Sequence, residues 1–275
     1  MEEVAFYARQ TPVTVLTKVP DLPADPAALA KIVGGVLIHR DWAWKFGVKL
    51  SEERRDEANL RFVRAILTRL GSSFGPRPPE QRVAGTCRDF AVLLVALLRA
   101  AGVPARARAG FAGYFTDGFF DDHWVAEVWS EDRGWYLVDA QVAGGEPGIY
   151  GTGDLDPFDV PRDAFLVGGQ AWRECRSGAR DPKTVGTSAA NLTGLWEVQG
   201  NVVRDLAALT GVEVLPWDNW GLIPIHYDDL PEVDRSLLDR VAAVSAAGGP
   251  RLLAQEALLL DPRLPVPPEL IAPPA

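Results

Sequence analysis

The feature that most constrains this fold is a run of nine apolar residues from Phe90 to Leu98. It is followed by Gly102 and Pro104, which stop helices, and its apolar side chains would surround a helix axis on most sides. The pattern predicts a buried helix over residues 88–101. A chain of 275 residues with 47% hydrophobic content is large enough to enclose such a helix.

One of only two cysteines stands at the start of this helix. Cys87 lies between Thr86 and Arg88, before the apolar run rather than inside it, where a structural thiol would pack. Thr86 or Gly85 would cap the helix, and Asp89 suits the positive end of its dipole. The same dipole favours the thiolate form of a cysteine in the first turn. Cys87 is therefore a candidate nucleophile.

Three short strands are predicted to follow, at residues 105–114, 123–129 and 135–140, with SEDRG as the hairpin turn between the last two. Pairing centred on Glu131 would set His123 directly across from Asp139. Pairing centred on Asp132 would make them diagonal neighbours on one face. Either register brings an imidazole and a carboxylate together, whereas a slip of one residue would separate them.

The remaining chain is predicted to be mainly helical. We expect an extended segment at residues 4–16 and helices at 27–38, 51–71, 195–209, 234–247 and 252–260. The last fifteen residues contain six prolines and are expected to be extended or disordered. The predicted organisation is an N-terminal helical region (1–75), a core with a long loop (76–180), a C-terminal helical extension (181–260) and a proline-rich tail (261–275).

Three blocks, GTCRDFAVLLVALLRAAGVPARA, DDHWVAEVW and GWYLVDA, occur in this order within residues 76–142. Together they resemble the core of the transglutaminase-like superfamily, which includes many bacterial proteins of unassigned activity. The resemblance implies an α+β fold with a buried nucleophile helix packed on an antiparallel sheet and extra helices at both ends. It also implies that Cys87 is the nucleophile, His123 the general base and acid, and Asp139 the orienting carboxylate. The aspartate of the family is often followed by proline, whereas Ala140 follows here.

The reaction that this resemblance implies is acyl transfer through a thioester on the cysteine. The donor would be an amide, ester or thioester from a peptide or small molecule, and the acceptor an amine or water. The backbone N–H of Cys87 and a second donor would hold the oxyanion, with Trp42, Trp44 and Gln81 as candidates. Trp124 is a further candidate for substrate binding. The alternative is a non-catalytic binding protein that keeps the fold.

Other residues of reactive type are expected to be structural. Cys175 lacks a neighbouring base in the sequence, and His39 and His226 are expected to be structural or surface residues. Arg106 and Arg108 alternate with alanines on a predicted strand. They are expected to form a solvated or ion-paired face rather than an anion site.

Composition excludes several classes of function. There are 28 basic and 37 acidic residues, and the resulting net charge of -9 argues against a nucleic-acid partner. The longest apolar run of nine residues is far short of the roughly 18 to 20 that a membrane helix needs. We predict a cytoplasmic protein, because MEEVAFYARQTPV does not resemble an export signal and two cysteines form no disulfide framework. We also expect no cofactor or metal, because calcium loops and paired C-x-x-C spacings are absent from the sequence. The oligomeric state is left open.

Overall fold

The computed structural model describes residues 2–16, 21–71, 73–145, 148–248 and 257–272. Helices and strands together form an α+β fold, and the chain divides into two compact units. Apart from the first two residues, one unit comprises Glu3–Ala107 and Trp124–Pro161, and the other comprises Arg108–His123 and Arg162–Ala275. The predicted organisation into four segments stays a prediction.

The first unit is built around the predicted buried helix. Its helices are α1 (Glu2–Tyr7), α2 (Pro26–Val36), α3 (Glu52–Arg55), α4 (Val63–Leu70), α5 (Cys87–Ala100) and α6 (Ala140–Ala143). Every side chain of α5 from the first residue to Arg99 is buried. The helix packs against α2, α4 and α6, so helices surround it as its apolar sequence requires.

Two pairs of strands belong to the first unit. Strand β1 (Leu37–His39) pairs in parallel with β2 (Val83–Gly85), which leads directly into α5. Strands β3 (Ala105–Thr116) and β4 (Phe119–Ser130) each contribute residues to both units. In the first unit β4 pairs antiparallel with β5 (Gly134–Val138), from Ala126↔Val138 to Ser130↔Gly134. This register is centred on Asp132 and confirms the second of the two predicted registers.

The second unit contains the remaining elements: β6 (Phe165–Val167), α7 (Gly168–Ser177), β7 (Val185–Thr187), β8 (Leu192–Thr193), α8 (Leu195–Leu209), α9 (Glu232–Ala247) and α10 (Pro268–Ile271). Its strand order is β6-β3-β4-β7-β8. Strand β3 pairs antiparallel with β6, but β4 pairs in parallel with β7. The sheet is therefore mixed, whereas an antiparallel sheet was expected. Helices α7, α8 and α9 pack against one another.

A buried carboxylate holds the second unit together. Both oxygens of Asp205 on α8 accept hydrogen bonds from Arg108 on β3, at 2.9 and 2.8 Å. The Ser245 hydroxyl on α9 donates to the same carboxylate at 2.6 Å, and accepts the backbone N–H of Gly169 on α7 at 2.8 Å. One buried charge pair thus links a strand to three helices, with its hydrogen-bonding groups satisfied by protein.

The other arginine of this predicted strand is also buried and paired. Arg106 donates to Glu127 at 2.6 Å, and each of these two side chains is only 2% exposed. Its guanidinium also lies 3.1 Å from Glu3 and stacks over the ring of Trp135 at 4.0 Å. The expectation of ion-paired arginines is confirmed, while the expectation of a solvated face is wrong.

The helix predicted over residues 51–71 is interrupted. Helix α3 is followed by a 3-10 turn at Asp56–Asn59, and α4 begins only at Val63. Tertiary hydrogen bonds explain the break: the Val63 N–H donates to Val13, and the Arg61 carbonyl accepts the guanidinium of Arg88 at 2.8 Å. These bonds outweigh the helical periodicity of the sequence.

Both ends of the chain also differ from expectation. The segment expected to be extended from residue 4 begins in α1 instead. The predicted helix at 252–260 lies mostly outside the described residues, and its described part, Ala257–Leu260, is a 3-10 turn. The tail contains the short helix α10, and Leu264 is buried with its carbonyl accepting the indole N–H of Trp220 at 3.2 Å. The described part of the tail is therefore partly packed.

The helices predicted at 27–38, 88–101, 195–209 and 234–247 are confirmed as α2, α5, α8 and α9, each to within two residues. In the described part of the chain, every helix is too short or too polar to cross a bilayer.

Candidate active site

Cys87 is the first residue of α5, and a capping box fixes the start of that helix. The Asp89 carboxylate accepts the backbone N–H of Thr86 at 2.8 Å and its hydroxyl at 3.2 Å. Arg88 lies 2.9 Å from the same carboxylate. Burial raises the pKa of Asp89, and the positive charge of Arg88 acts in the opposite direction. Thr86 is the cap, as predicted, and the thiol is held at the positive end of a rigid helix.

Asp139 is the N-cap of α6 and is 1% exposed. Its Oδ1 accepts the backbone N–H groups of Gln141 and Val142 at 2.9 and 3.1 Å. Its own N–H donates to the Pro157 carbonyl at 2.8 Å. The carboxylate is therefore fixed on both sides, by its backbone and by one of its oxygens.

The short helix that Asp139 caps is held against α2 by two glycines. A Cβ atom added to Gly34 on α2 would lie 2.2 Å from the Cα of Gly144, the residue that ends α6. A Cβ added to Gly144 would lie 2.0 Å from the Cα of Gly34. The two backbones touch directly, and this contact sets the position of α6.

His123 lies on β4 in the second unit and is 2% exposed. Aromatic rings meet its imidazole edge to face, with centroid distances of 6.0 Å to Tyr114, 4.9 Å to Phe115 and 6.3 Å to Phe165. Such contacts on several sides restrict rotation of the ring. The next residue along the strand, Trp124, belongs to the first unit.

The first unit holds two of the three predicted catalytic residues, on elements that pack together. Cys87 begins α5, Asp139 caps α6, and these two helices are in contact. The ladder between β4 and β5 ends at Ala126↔Val138, so one further pair would set Val125 across from Asp139.

The residues predicted to bind substrate differ in exposure. Trp124 is 1% exposed, and its indole N–H has no hydrogen-bond partner among the described residues. Trp42 is half-buried, with its ring 5.5 Å from that of Tyr150. Trp44 is 69% exposed and Gln81 is also exposed. Such exposure does not suit an oxyanion donor, which acts most strongly where water is excluded.

Three other residues occupy the structural or surface positions expected of them. Cys175 is buried in α7, and burial raises the pKa of its thiol to about 11. His226 is exposed and caps a 3-10 turn, accepting the backbone N–H of Asp228. His39 accepts the backbone N–H of Asp41 at 3.3 Å. A thiol with so high a pKa is poorly suited to attack at neutral pH.

Two buried polar features of the structure are not predicted from the sequence: the side chain of Gln141 and the hydrogen bond between Asp122 and Asn201. Gln141 is 2% exposed, and its side-chain carbonyl has no hydrogen-bond partner within the ranges described. Its only signal was its place two residues after Asp139. In the second unit, Asp122 accepts a hydrogen bond from Asn201 at 2.6 Å, and burial raises the pKa of this carboxyl. No periodicity in the sequence indicates that helix α8 supplies this partner.

The described residues contain no cluster of three or more His, Cys, Asp or Glu side chains suited to hold a metal ion.

Comparison with known proteins finds one family and two partial relatives. The family described as the transglutaminase-like superfamily matches residues 60–140. A protein-glutamine gamma-glutamyltransferase of Pseudomonas aeruginosa is 38% identical over 64 residues, which cover 20% of this chain and 10% of that protein. The crystal structure of red sea bream transglutaminase has 19% sequence identity and a TM-score of 0.28, over 42% of this chain and 21% of its own. The chain thus spans about a tenth of the length of the curated relative that it matches.

Proposed function

Because residues 60–140 make this chain a member of the transglutaminase-like superfamily, we propose that it is a cysteine-dependent acyltransferase. In this proposal Cys87 is the nucleophile, His123 the general base and acid, and Asp139 the carboxylate that orients the imidazole. The observation that carries the proposal is the position of Cys87 as the first residue of a buried, capped helix within the matched segment.

The proposed reaction has two halves. The Cys87 sulfur attacks the carbonyl carbon of the donor while His123 takes the thiol proton, and the carbonyl oxygen becomes an oxyanion. When this intermediate collapses, the bond to the leaving group breaks and His123 returns the proton to that group. An acceptor then attacks the thioester, His123 takes its proton, and the sulfur leaves as a thiolate.

Asp139 acts through the imidazole. A carboxylate that accepts the far N–H of the ring fixes its tautomer and stabilises the imidazolium formed during attack. The hydrogen bonds at Oδ1 and the contact between α2 and α6 support this role, because they hold the carboxylate in one place.

The donor that we propose is a carboxamide of a peptide or small molecule. The printed name of the Pseudomonas relative describes transfer of a glutamyl group from protein glutamine, and the identity of 38% supports a similar donor here. Trp124 stays a substrate-binding candidate in this proposal, because its buried indole N–H has no hydrogen-bond partner among the described residues. The acceptor is an amine or water.

The two cysteines allow a matched test of this proposal. Cys87 and Cys175 are 7% and 5% exposed, so burial alone predicts similar alkylation rates. We expect iodoacetamide at pH 7 to label Cys87 on the order of 100-fold faster, because the nucleophile is activated and the pKa of Cys175 is about 11. Labelling of Cys175 should rise about tenfold per pH unit up to that pKa. Peptide mass spectrometry measures both sites in one sample.

Two variants complete the test. His123→Ala should slow the labelling of Cys87 but not that of Cys175, and Cys87→Ala should abolish formation of an acyl-enzyme from 4-nitrophenyl acetate. Equal, slow labelling of both cysteines in the unaltered chain would contradict the proposal and favour a binding protein that keeps the fold. A full acylation rate in Cys87→Ala would also contradict it.

A further inference from the structure

The second unit contains a cavity of about 360 Å³ that the proposed reaction does not use. All three residues of strand β6 line this β6 cavity, together with Ala246 of α9, so part of its lining is apolar. The polar residues that line it are Arg162, Asp163, Gln170, Glu174 and Arg180. Its volume lies within the range of roughly 300 to 1,000 Å³ that small-molecule sites occupy.

Arg180 is oriented by three contacts but keeps part of its hydrogen-bonding capacity. Its Nε donates to the Glu174 carboxylate at 2.8 Å, and its backbone N–H donates to the Glu174 carbonyl at 3.1 Å. Its guanidinium also stacks over the ring of Phe120 at 4.0 Å. Among the described residues, Nη1 and Nη2 find no hydrogen-bond acceptor. The side chain is 26% exposed, so these two donors can reach a ligand in the β6 cavity.

The carboxylate beside Arg180 is already paired. Glu174 Oε2 accepts the Nε of Arg180, and Oε1 accepts the side-chain amide of Gln170 at 2.9 Å. The charge of Glu174 is therefore balanced by a direct ion pair, which reduces its repulsion of a second carboxylate. Arg162 and Asp163 are exposed and add one charge of each sign. The end of a guanidinium presents two N–H groups that match the two oxygens of a carboxylate.

We propose that the β6 cavity binds a small organic carboxylate with a short apolar group. The carboxylate accepts hydrogen bonds from Nη1 and Nη2 of Arg180, and the apolar group packs against β6 and Ala246. The site needs no reaction at Cys87. It does share one residue with the surroundings of the proposed base, because Phe165 lines the cavity and its ring centroid lies 6.3 Å from that of His123.

The test titrates the full chain with three probes of one shape: isovalerate, isovaleramide and isopentylamine. The backbone amide NMR signals of β6 report binding. We expect isovalerate to shift these signals saturably and isovaleramide to bind at least about tenfold more weakly, because a charged acceptor strengthens the hydrogen bonds to a guanidinium. Isopentylamine should not bind. Inorganic phosphate should bind more weakly than isovalerate, because it has no apolar group to bury.

Two pairs of variants locate the site. Arg180→Gln should weaken isovalerate binding at least about tenfold. The matched control Arg173→Gln should leave it unchanged, because Arg173 is exposed on α7 and does not line the cavity. Ala246→Leu should abolish binding by filling the cavity. Its control, Ala243→Leu, adds the same side chain at an exposed position of α9 and should bind normally.

Three results would overturn the inference: no binding of isovalerate, equal affinity for isovalerate and isovaleramide, or unchanged affinity in Ala246→Leu. If Arg180→Gln loses stability in thermal denaturation because Glu174 loses its partner, Ala246→Leu still decides, since it leaves that ion pair intact. Equal affinity for inorganic phosphate and isovalerate would also contradict the proposed apolar contact.

Discussion

The contact between α2 and α6 makes adjacent glycines on α2 respond in opposite ways to the same substitution. A Cβ at Gly34 would lie 2.2 Å from Gly144 Cα, short of ordinary contact at 3.4 Å by about 1.2 Å. A Cβ at Gly35 would meet only Pro76, at 3.6 Å. The two variants Gly34→Ala and Gly35→Ala therefore share one helix and one change in side chain, and differ only in what the methyl group meets.

The expected free energies follow from these distances. Alanine in a helix interior gains about 1 kcal/mol over glycine at either position. At Gly34 the overlap is with backbone, which cannot rotate away, so overpacking costs about 3 kcal/mol. We expect Gly35→Ala to stabilise the chain by about 1 kcal/mol and Gly34→Ala to destabilise it by about 2 kcal/mol. The difference corresponds to roughly 6–12 °C in Tm.

The rate of acylation should also fall in Gly34→Ala, because Asp139 is the N-cap of α6. Movement of that helix by about 1 Å should lower the rate of acylation by about 100-fold in Gly34→Ala, well below its Tm. Thermal denaturation followed by circular dichroism, with acylation by 4-nitrophenyl acetate at 25 °C, measures both effects. Equal Tm values for the two variants, or full activity in Gly34→Ala, would refute the reasoning.

Two further substitutions separate stability from chemistry. Asp139→Asn keeps an oxygen that can cap α6 but removes the charge. Its Tm should therefore stay within about 2 °C of that of the unaltered chain, while the rate of acylation falls by about 100-fold or more. A large loss of Tm would show instead that the charge itself stabilises the fold. Glu127→Ala leaves the buried Arg106 with the partly exposed Glu3 as its one carboxylate partner among the described residues. The free energy of unfolding in urea should fall by about 3 kcal/mol, and a loss below about 1 kcal/mol would contradict the buried pair as a stabilising contact.

Features that depend on neighbouring residues could be predicted from the sequence. Helix α5 was predictable because Thr86 and Gly102 bracket an apolar run, and the β4–β5 hairpin because two alternating strands flank a short polar turn. The buried arginines were harder to predict. Arg108 alternates with alanines as a surface residue would, and its partner Asp205 lies 97 positions away in the sequence.

Features that depend on distant partners were missed. Helix α7 begins with Gly168 and Gly169, which ordinarily argue against a helix. Added Cβ atoms there would lie 2.5 Å from the carbonyl oxygen of Asn201 and 2.3 Å from that of Ala242, so the glycines serve close packing against α8 and α9. Strands β6, β7 and β8 have only two or three residues each and are too short to show a period.

In the candidate site, the sequence identified residue types but not their surroundings. Cys87 and Asp139 could be named because each stands at a recognisable helix or strand boundary. Gln141 could not, because a glutamine gives no sign of burial before its neighbours are known. Trp44 and Gln81 are candidates by residue type alone, and both are exposed.

The buried Asp205 network also restricts how relatives of this chain can diverge. Replacing Asp205 alone would leave the guanidinium of Arg108 and the hydroxyl of Ser245 without this acceptor. A larger residue at Gly169 would separate α7 from α9. We therefore expect these four positions to change together. If one of the three polar residues is replaced by an aliphatic residue, the other two should also be aliphatic. Covariation among these positions in an alignment would identify relatives that keep the same buried hydrogen-bond network. Solvent-exposed positions should vary independently of one another.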